Sequence, residues 1–376
     1  MPSPRPVLLA PASAGAVTGV PDLGSVAKAA TAAAGDVDAA LWLARDLATT
    51  LPLPGSGATR ALWEALASLG AADLTVARVV EPHLDALAVL AQVEADGLLP
   101  DGALDAVGVD DGATWGVYAA EGPGARLEAH PDRDASGHEV ALLTGRKPWC
   151  SLAGRVSHAL VTAWCGPDER RLYAVDLRHA GVTVATDVAW AARGLTAVTS
   201  GPVDLVDVPA VPVGPPGWYL HRPGFAWGGI GVAAIWFGGA VGVARRLAEQ
   251  AARREPDQLA LAHLGAVDGA LHAARAALAE AAAVVDATSN GTSTGVDPAV
   301  LALRTRQVVA RAAETVLEHV AHALGPAPLT LEDEHARRVA DLQVYVRQEH
   351  AERDQATLGR LLLQHGDAPT DGPAPW

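Results

Sequence analysis

The hydrophobic pattern of this chain changes its period twice, and these changes limit the folds that the chain can adopt. Between residues 36 and 99, apolar residues recur every three or four positions, which is typical of packed amphipathic helices. From about residue 104, short stretches rich in Val, Thr and aromatic residues alternate with Gly, Pro and Asp, which is typical of β-strands and turns. Four long helical patterns follow, over residues 230–254, 258–286, 298–324 and 331–364.

This order predicts an α+β protein of several domains. At 376 residues the chain exceeds the size of an ordinary single core. We expect an N-terminal α-helical domain over residues 1–103, a central antiparallel β-barrel or β-sandwich over 104–215, and a C-terminal four-helix bundle over 216–366. Residues 367–376 are rich in Pro, Asp and Ala, so they are predicted to form a disordered tail.

Charge and cysteine content exclude several classes of function. The chain has 28 Lys and Arg residues against 43 Asp and Glu residues, for a formal net charge of −15. Binding to nucleic acid or to an anionic membrane needs a basic face, so neither partner is expected. Cys150 and Cys165 are too few for a disulfide framework or a paired-cysteine metal site, and no metal site is predicted. The N-terminus makes a poor signal peptide, so we expect a cytoplasmic protein.

One apolar stretch, residues 225–246, is long enough to cross a bilayer. It runs directly into a charged amphipathic pattern, and its glycines suit close packing between helices, so a buried helix is the preferred interpretation. The same small-residue face is a large apolar surface that a bundle alone could leave uncovered. We therefore expect the chain to associate with copies of itself.

Four stretches stand out by their order and spacing: LLTGRKPWCSLAGRVSHALVTA (142–163), RLYAVDL (171–177), VDLVDVPAVPVG (203–214) and the glycine-rich start of the predicted bundle at residue 222. Together they resemble landmarks of the acyl-CoA dehydrogenase superfamily. The resemblance extends from about residue 36 to residue 364. It implies a homodimer or homotetramer that binds FAD between subunits and oxidises an acyl thioester, or a related small acyl substrate, at its α,β bond.

The resemblance also implies residues that contact the flavin. In the family, an aromatic residue followed closely by a small hydroxyl residue packs beside the flavin ring and hydrogen-bonds to it, and Trp149 and Ser151 match this pair. The match is chemically reasonable because an indole face covers a planar ring and a short hydroxyl reaches its polar edge. A buried Trp at a strand end, with Ser in a turn, is the alternative.

A second stretch, VYAAEGPGA, loosely matches the first flavin loop of the family, in which small residues let backbone N–H groups approach the cofactor. The match implies flavin contacts for Glu121, Gly122 and Gly124. An ordinary β-turn is the alternative.

For the catalytic base, the resemblance aligns Glu349 in VYVRQEHAERD with the catalytic glutamate of the family. A base is needed because the α-proton of a thioester is only weakly acidic, and a dry site would raise the pKa of a glutamate. His350 could serve instead in a flavin-dependent monooxygenase, where a histidine lies near this point. A charged, solvated helix face is the remaining interpretation.

The second half of the flavin site, which the family takes from a neighbouring subunit, is matched less well. Arg253 and Arg254 correspond to its arginine but lack the following Phe-Gly, and Gly325 corresponds to a double-glycine turn but precedes Pro326. Proline has no N–H to donate to a pyrophosphate. Three hypotheses therefore stay open: an FAD-dependent acyl-CoA dehydrogenase, a flavin-dependent monooxygenase, and a non-catalytic relative that has lost the flavin.

Overall fold

The computed structural model describes residues 5–9, 22–134, 137–186 and 189–366, so the predicted tail lies outside the described residues. Helices precede and follow a β-sheet, which agrees with the predicted order. The first helices are α1 (Leu23–Ala32), α2 (Val37–Ala48), α3 (Thr59–Ala72) and α4 (Leu74–Ala95). The strands are β1 (Trp115–Tyr118), β2 (Leu127–Arg133), β3 (Glu139–Lys147), β4 (His158–Trp164), β5 (Arg170–Asp176), β6 (Val182–Val184) and β7 (Val203–Val213). The later helices are α5 (Trp218–His221), α6 (Pro223–Arg253), α7 (Gln258–Ser289), α8 (Pro298–Leu324), α9 (Ala327–Leu331), α10 (Asp333–Tyr345) and α11 (Glu352–Gly366).

Aspartates define where many of the helices begin. The side chains of Asp22, Asp36, Asp73, Asp257 and Asp297 accept hydrogen bonds from backbone N–H groups in the first turns of α1, α2, α4, α7 and α8. These N–H groups have no partner inside the helix, so a capping carboxylate stabilises each start by about 1 kcal/mol. Helix starts are therefore encoded locally.

The sheet closes on itself, because β5 pairs with both β4 and β7 and the strands between them pair in the order β4, β2, β3, β7. It is not wholly antiparallel as predicted. β1 runs parallel to β4, with Trp115 opposite His158, and β2 meets the end of β4 in parallel as well. Along the chain, the β2–β3 hairpin separates β1 from β4. It provides the long connection that two parallel neighbouring strands require.

The predicted fourth helix of the bundle is interrupted, which corrects the sequence prediction of one helix over 331–364. The helix α10 ends at Tyr345, a single 3-10 turn covers Val346–Gln348, and α11 begins at Glu352. Ala351 between them has a φ of 48°, a left-handed conformation that a continuous helix does not contain. Val346 is buried, so packing holds the chain in this turn.

The helix α6 lies inside the molecule, against α3, α7, α8 and α10. It is the one helix of the described chain that is long and apolar enough to cross a membrane, and 67% of its apolar window is buried by the protein itself. Its small-residue face is therefore covered within one chain. That face no longer supports self-association, and the predicted homodimer or homotetramer now depends on the family resemblance alone.

Glycines let α6 and α3 approach at backbone distance. A Cβ atom on Gly70 would stand 2.5 Å from the carbonyl oxygen of Ile235, and one on Gly238 would overlap the carbonyl of Ala67. No side chain fits at either position.

Replacing Gly238 with Ala should destabilise the fold. The added methyl group overlaps backbone that cannot rotate away, and overpacking of this kind costs about 1–3 kcal/mol. Gly265→Ala on α7 is the matched control, because its Cβ would meet nothing within 4 Å and alanine favours a helix by up to about 1 kcal/mol. Urea unfolding should show a lower midpoint for Gly238→Ala and an equal or higher midpoint for Gly265→Ala. Equal effects of the two changes would contradict the close approach.

Candidate functional site

The turn after β3 presents an aromatic ring to the outside. Trp149 has a φ of 59° and is 59% exposed, so the alternative of a buried Trp at a strand end is wrong. The turn is held from several sides: the Cys150 N–H donates to the Gly201 carbonyl, and the Tyr118 hydroxyl donates to the Ser151 carbonyl at 2.8 Å. An exposed indole on a fixed backbone is a ready stacking surface for a planar ring.

The structure brings the predicted loop from 117–125 against this turn. A Cβ on Gly122 would stand 3.3 Å from Pro148 and 3.9 Å from the indole nitrogen of Trp149. The loop is also a tight turn, since the Ala125 N–H donates to the Gly122 carbonyl, and Gly124 has a φ of 72° that favours glycine. Two segments that are distant in sequence thus form one surface.

Glu121 faces the sheet and holds a buried lysine. Its carboxylate accepts a hydrogen bond at 2.6 Å from Lys147, which is 1% exposed. Burial acts to raise the pKa of Glu121, but hydrogen bonds from Lys147 and Trp164 outweigh it and lower the pKa overall. The carboxylate is already satisfied by this pairing, so its local contacts are those of a structural ion pair.

Arg78 on α4 connects the turn to the helical part of the chain. One guanidinium nitrogen donates to Ser151 Oγ at 3.1 Å, and another lies 3.5 Å from Glu81 Oε2. The guanidinium carbon also lies 5.7 Å from the centroid of the Tyr345 ring. Sequence analysis missed both α4 residues; the only available signal was an Arg and a Glu three positions apart in an otherwise apolar helix.

Further aromatic and charged groups complete this region. Arg306 on α8 lies 4.7 Å from the Trp236 ring, which packs edge-on against Tyr345 at 6.4 Å. The Arg306 guanidinium donates to the carbonyls of Gly229 and Gln348 at 2.7 and 2.8 Å. We call Arg78, Glu81, Arg306, Trp236 and Tyr345 the Arg78 cluster.

Glu81 is the carboxyl of the Arg78 cluster, and its side chain is 13% exposed. Burial raises its pKa to about 7, because a charge is costly in a poorly solvated site, although the opposite charges of Arg78 and Arg306 act to lower it. Asp85, one helical turn further along α4, has a raised pKa for the same reason and lies 3.8 Å from Arg222. Both groups can therefore carry a proton in a pH range where exposed carboxyls cannot.

Glu81 and Asp85 line a cleft between α3, α4 and α6. The cleft has a cavity volume of about 50 Å³, which is room for water or a small group. Its other walls are mostly apolar and include Leu51, Leu62, Trp63, Leu66, Leu84 and Trp227. Water or a small group in the cleft would find two carboxyl groups as its main polar contacts here.

Glu349 lies at the break between α10 and α11 and is 8% exposed, so it does not lie on a solvated helix face. Its Oε2 accepts a hydrogen bond at 2.9 Å from the Ala351 N–H, and its charge acts on Arg306. His350 points to solvent, with its ring 3.3 Å from the carboxylate of Asp354. The role of Glu349 as a base stays a prediction.

No protein-family model matches the chain, and no curated protein sequence does. Solved structures match it over nearly their whole length. One is KijD3 in complex with FMN and a dTDP-linked amino sugar, at 21% identity over 93% of this chain and 92% of that one, with a TM-score of 0.72. Another is dibenzothiophene monooxygenase (TdsC) from Paenibacillus sp. A11-2, at 18% identity over 94% and 97%, with a TM-score of 0.69. A third is a variant of the steroid ACAD Tcur3481-Tcur3483, at 22% identity over 92% and 98%, with a TM-score of 0.66.

This chain has the acyl-CoA dehydrogenase fold. The resemblance read from the sequence is confirmed at that level. Within this fold, Arg253 and Arg254 lie exposed at the end of α6, where Arg253 is 3.9 Å from Glu249, and Gly325 ends α8. Among the described residues, no hydrogen bond or ion pair links these three positions to the Trp149 turn.

Replacing Glu81 with Gln should reduce the loss of stability at rising pH. The folded chain keeps the Glu81 proton up to about pH 7, whereas the unfolded chain releases it near the ordinary pKa of 4.5. Between these values the folded state loses on the order of 3 kcal/mol of unfolding free energy as the pH rises, and Gln removes this contribution.

Urea unfolding at about pH 5 and about pH 8 measures the difference. Between these pH values, the unfolding free energy should fall less in Glu81→Gln than in the wild type. In Glu318→Gln, on the exposed face of α8, it should fall as much as in the wild type. An unchanged decline in Glu81→Gln would mean that this carboxyl does not hold a proton in the fold.

Proposed function

We propose that this chain is a flavin-dependent oxidoreductase that oxidises or oxygenates a small molecule. The observation that carries the proposal is the exposed Trp149 beside Gly122, on a fixed turn of the acyl-CoA dehydrogenase fold. Solved structures of this fold support it, because KijD3 and TdsC were both determined with FMN.

The residues of the turn fit a flavin ring. Trp149 offers a free indole face, Gly122 leaves room that a larger residue would fill, and Ser151 places a hydroxyl beside the turn. Arg78 brings a positive charge to the same hydroxyl, and such a charge favours the anionic form of a reduced ring. When bound, the flavin would supply two-electron redox chemistry that no side chain of the chain can perform.

We favour FMN over the FAD that the family resemblance implies. A pyrophosphate needs N–H donors, and Pro326 removes one at the turn where the family has a second glycine. FMN has a single phosphate and needs fewer donors. In a homodimer or homotetramer, which stays part of this proposal, Arg253, Arg254 and Gly325 would contribute to the flavin site of a second copy.

Trp149→Ala should weaken FMN binding by roughly tenfold or more, since aromatic side chains stacked on nucleobases contribute about 1–3 kcal/mol. Trp42→Ala is the matched control, because Trp42 is 70% exposed on α2, where its ring contacts the Arg45 guanidinium group at 5.0 Å. Quenching of FMN fluorescence on titration with protein gives the affinity. Equal affinity of both variants would exclude stacking on Trp149, and a wild type that binds no flavin would favour the non-catalytic relative.

Oxidation of an acyl thioester, with Glu349 as the base, is the more specific form of the proposal. Mixing the flavin-loaded protein with a medium-chain acyl-CoA without oxygen should then bleach the flavin absorption. Glu349→Gln should slow bleaching by at least about 100-fold, as expected for loss of a positioned base. Glu352→Gln, at the exposed start of α11, is the control. Full-rate bleaching in Glu349→Gln would remove this residue from the mechanism.

A flavin-dependent monooxygenase is the second candidate, and two observations favour it. The Glu349 carboxylate is already hydrogen-bonded to the Ala351 N–H, and TdsC is a monooxygenase of the same fold. In this case acyl-CoA would not bleach the flavin, and the chemically reduced flavin would consume oxygen together with a bound substrate.

A further inference from the structure

We propose that Glu81 is a second proton-exchanging carboxyl of this site, besides the predicted base Glu349, and that Arg78 connects it to the flavin turn. The inference rests on the proposed function, because it concerns the proton that accompanies flavin redox chemistry. The geometry is specific: one guanidinium group lies 3.5 Å from Glu81 Oε2 and 3.1 Å from Ser151 Oγ. The carboxyl is therefore two polar contacts from the turn that carries Trp149.

Glu81 can also exchange a proton with water. It is 13% exposed and lines the cleft of about 50 Å³ between α3, α4 and α6, so water in the cleft can reach its oxygens. Glu349 differs from Glu81, because its Oε2 accepts a hydrogen bond from the Ala351 N–H and because it is not part of the cleft wall.

The groups that face Glu81 allow its charge to change. Arg78 and Asp85 lie on its own helix, Arg306 approaches from α8, and the buried hydroxyls of Tyr219 and Tyr345 approach from α5 and α10. The arginines favour the carboxylate, whereas burial and Asp85 favour the acid. Near neutral pH these effects balance, because burial raises the pKa of Glu81 to about 7.

The Tyr345 hydroxyl supports the assignment independently. Tyr345 is 1% exposed and its hydroxyl has no hydrogen-bond partner among the described residues, although it belongs to the Arg78 cluster. A buried O–H without a partner costs free energy, so it is expected where a ligand or water completes the site.

The chemistry balances with the flavin as oxidant. When bound, a flavin would accept two electrons, and the proton that accompanies them would come from a substrate or from water. The Glu81 carboxylate would form a new O–H bond with that proton and become neutral. A negative charge on the bound flavin would raise the pKa of Glu81 and so hold the proton on this carboxyl.

Infrared difference spectroscopy of the FMN-loaded full chain tests the inference without a substrate. At about pH 7.5, photoreduction of the flavin should produce the C=O stretching band of a newly protonated carboxyl group. The band should appear in the wild type and in Glu349→Gln, and it should be absent from Glu81→Gln. At about pH 5.5 Glu81 already holds its proton, so the wild-type band should fall by roughly tenfold or more.

The outcomes distinguish a failure of the proposed function from a failure of the inference about Glu81. If the wild type binds no FMN, the proposed function fails and the inference fails with it. If FMN binds and the band persists in Glu81→Gln or vanishes in Glu349→Gln, only the inference fails. If Glu81→Gln does not bind FMN, the pH comparison in the wild type decides, and a missing band or one of equal size at both pH values overturns the assignment.

Discussion

The backbone contact between α3 and α6 is the constraint on which the remaining structure depends. Gly70 and Gly238 let each helix touch a carbonyl group of the other, so the two helices lie closer than side chains would allow. Because α6 also packs against α4, α8 and α10, this contact sets the position of the whole C-terminal part. The cleft that Trp63 lines and the position of Trp236 on α6 depend on this contact between α3 and α6.

Buried charge is the second organising feature. Removing two arginines and a glutamate from water costs free energy that their mutual attraction only partly offsets, and an apolar replacement is often as stable. Stability alone therefore does not explain the Arg78 cluster. An aromatic ring lies against each guanidinium group, and these cation–π contacts reduce the free-energy cost of burying the charges. The remaining cost is of the kind found at functional sites.

Prediction from sequence succeeded where the signal is local. The Trp149 turn and the Gly122 loop were identified separately, and strand pairing in the sheet brings them together. Their roles toward a flavin stay predictions. Prediction was wrong for the segment after α10, because the left-handed conformation of Ala351 depends on the packing of neighbouring residues and leaves no signal in the helical periodicity. Arg78 and Glu81 were missed because nothing in the apolar pattern of α4 indicates which turn of that helix faces the sheet.

By itself, the sequence determined the order of helices and strands and the starts of many helices. These properties depend on residues that are close along the chain: a capping aspartate and a period of 3.6 residues. The tertiary structure decided that the small-residue face of α6 is covered, because Gly238 meets Ala67 of the distant helix α3. Only the tertiary structure decided which carboxyl group is buried beside which arginine. The pKa of Glu81 depends on Arg78, Asp85 and Arg306, and on the loss of water around them, and α8 comes near α4 only after folding.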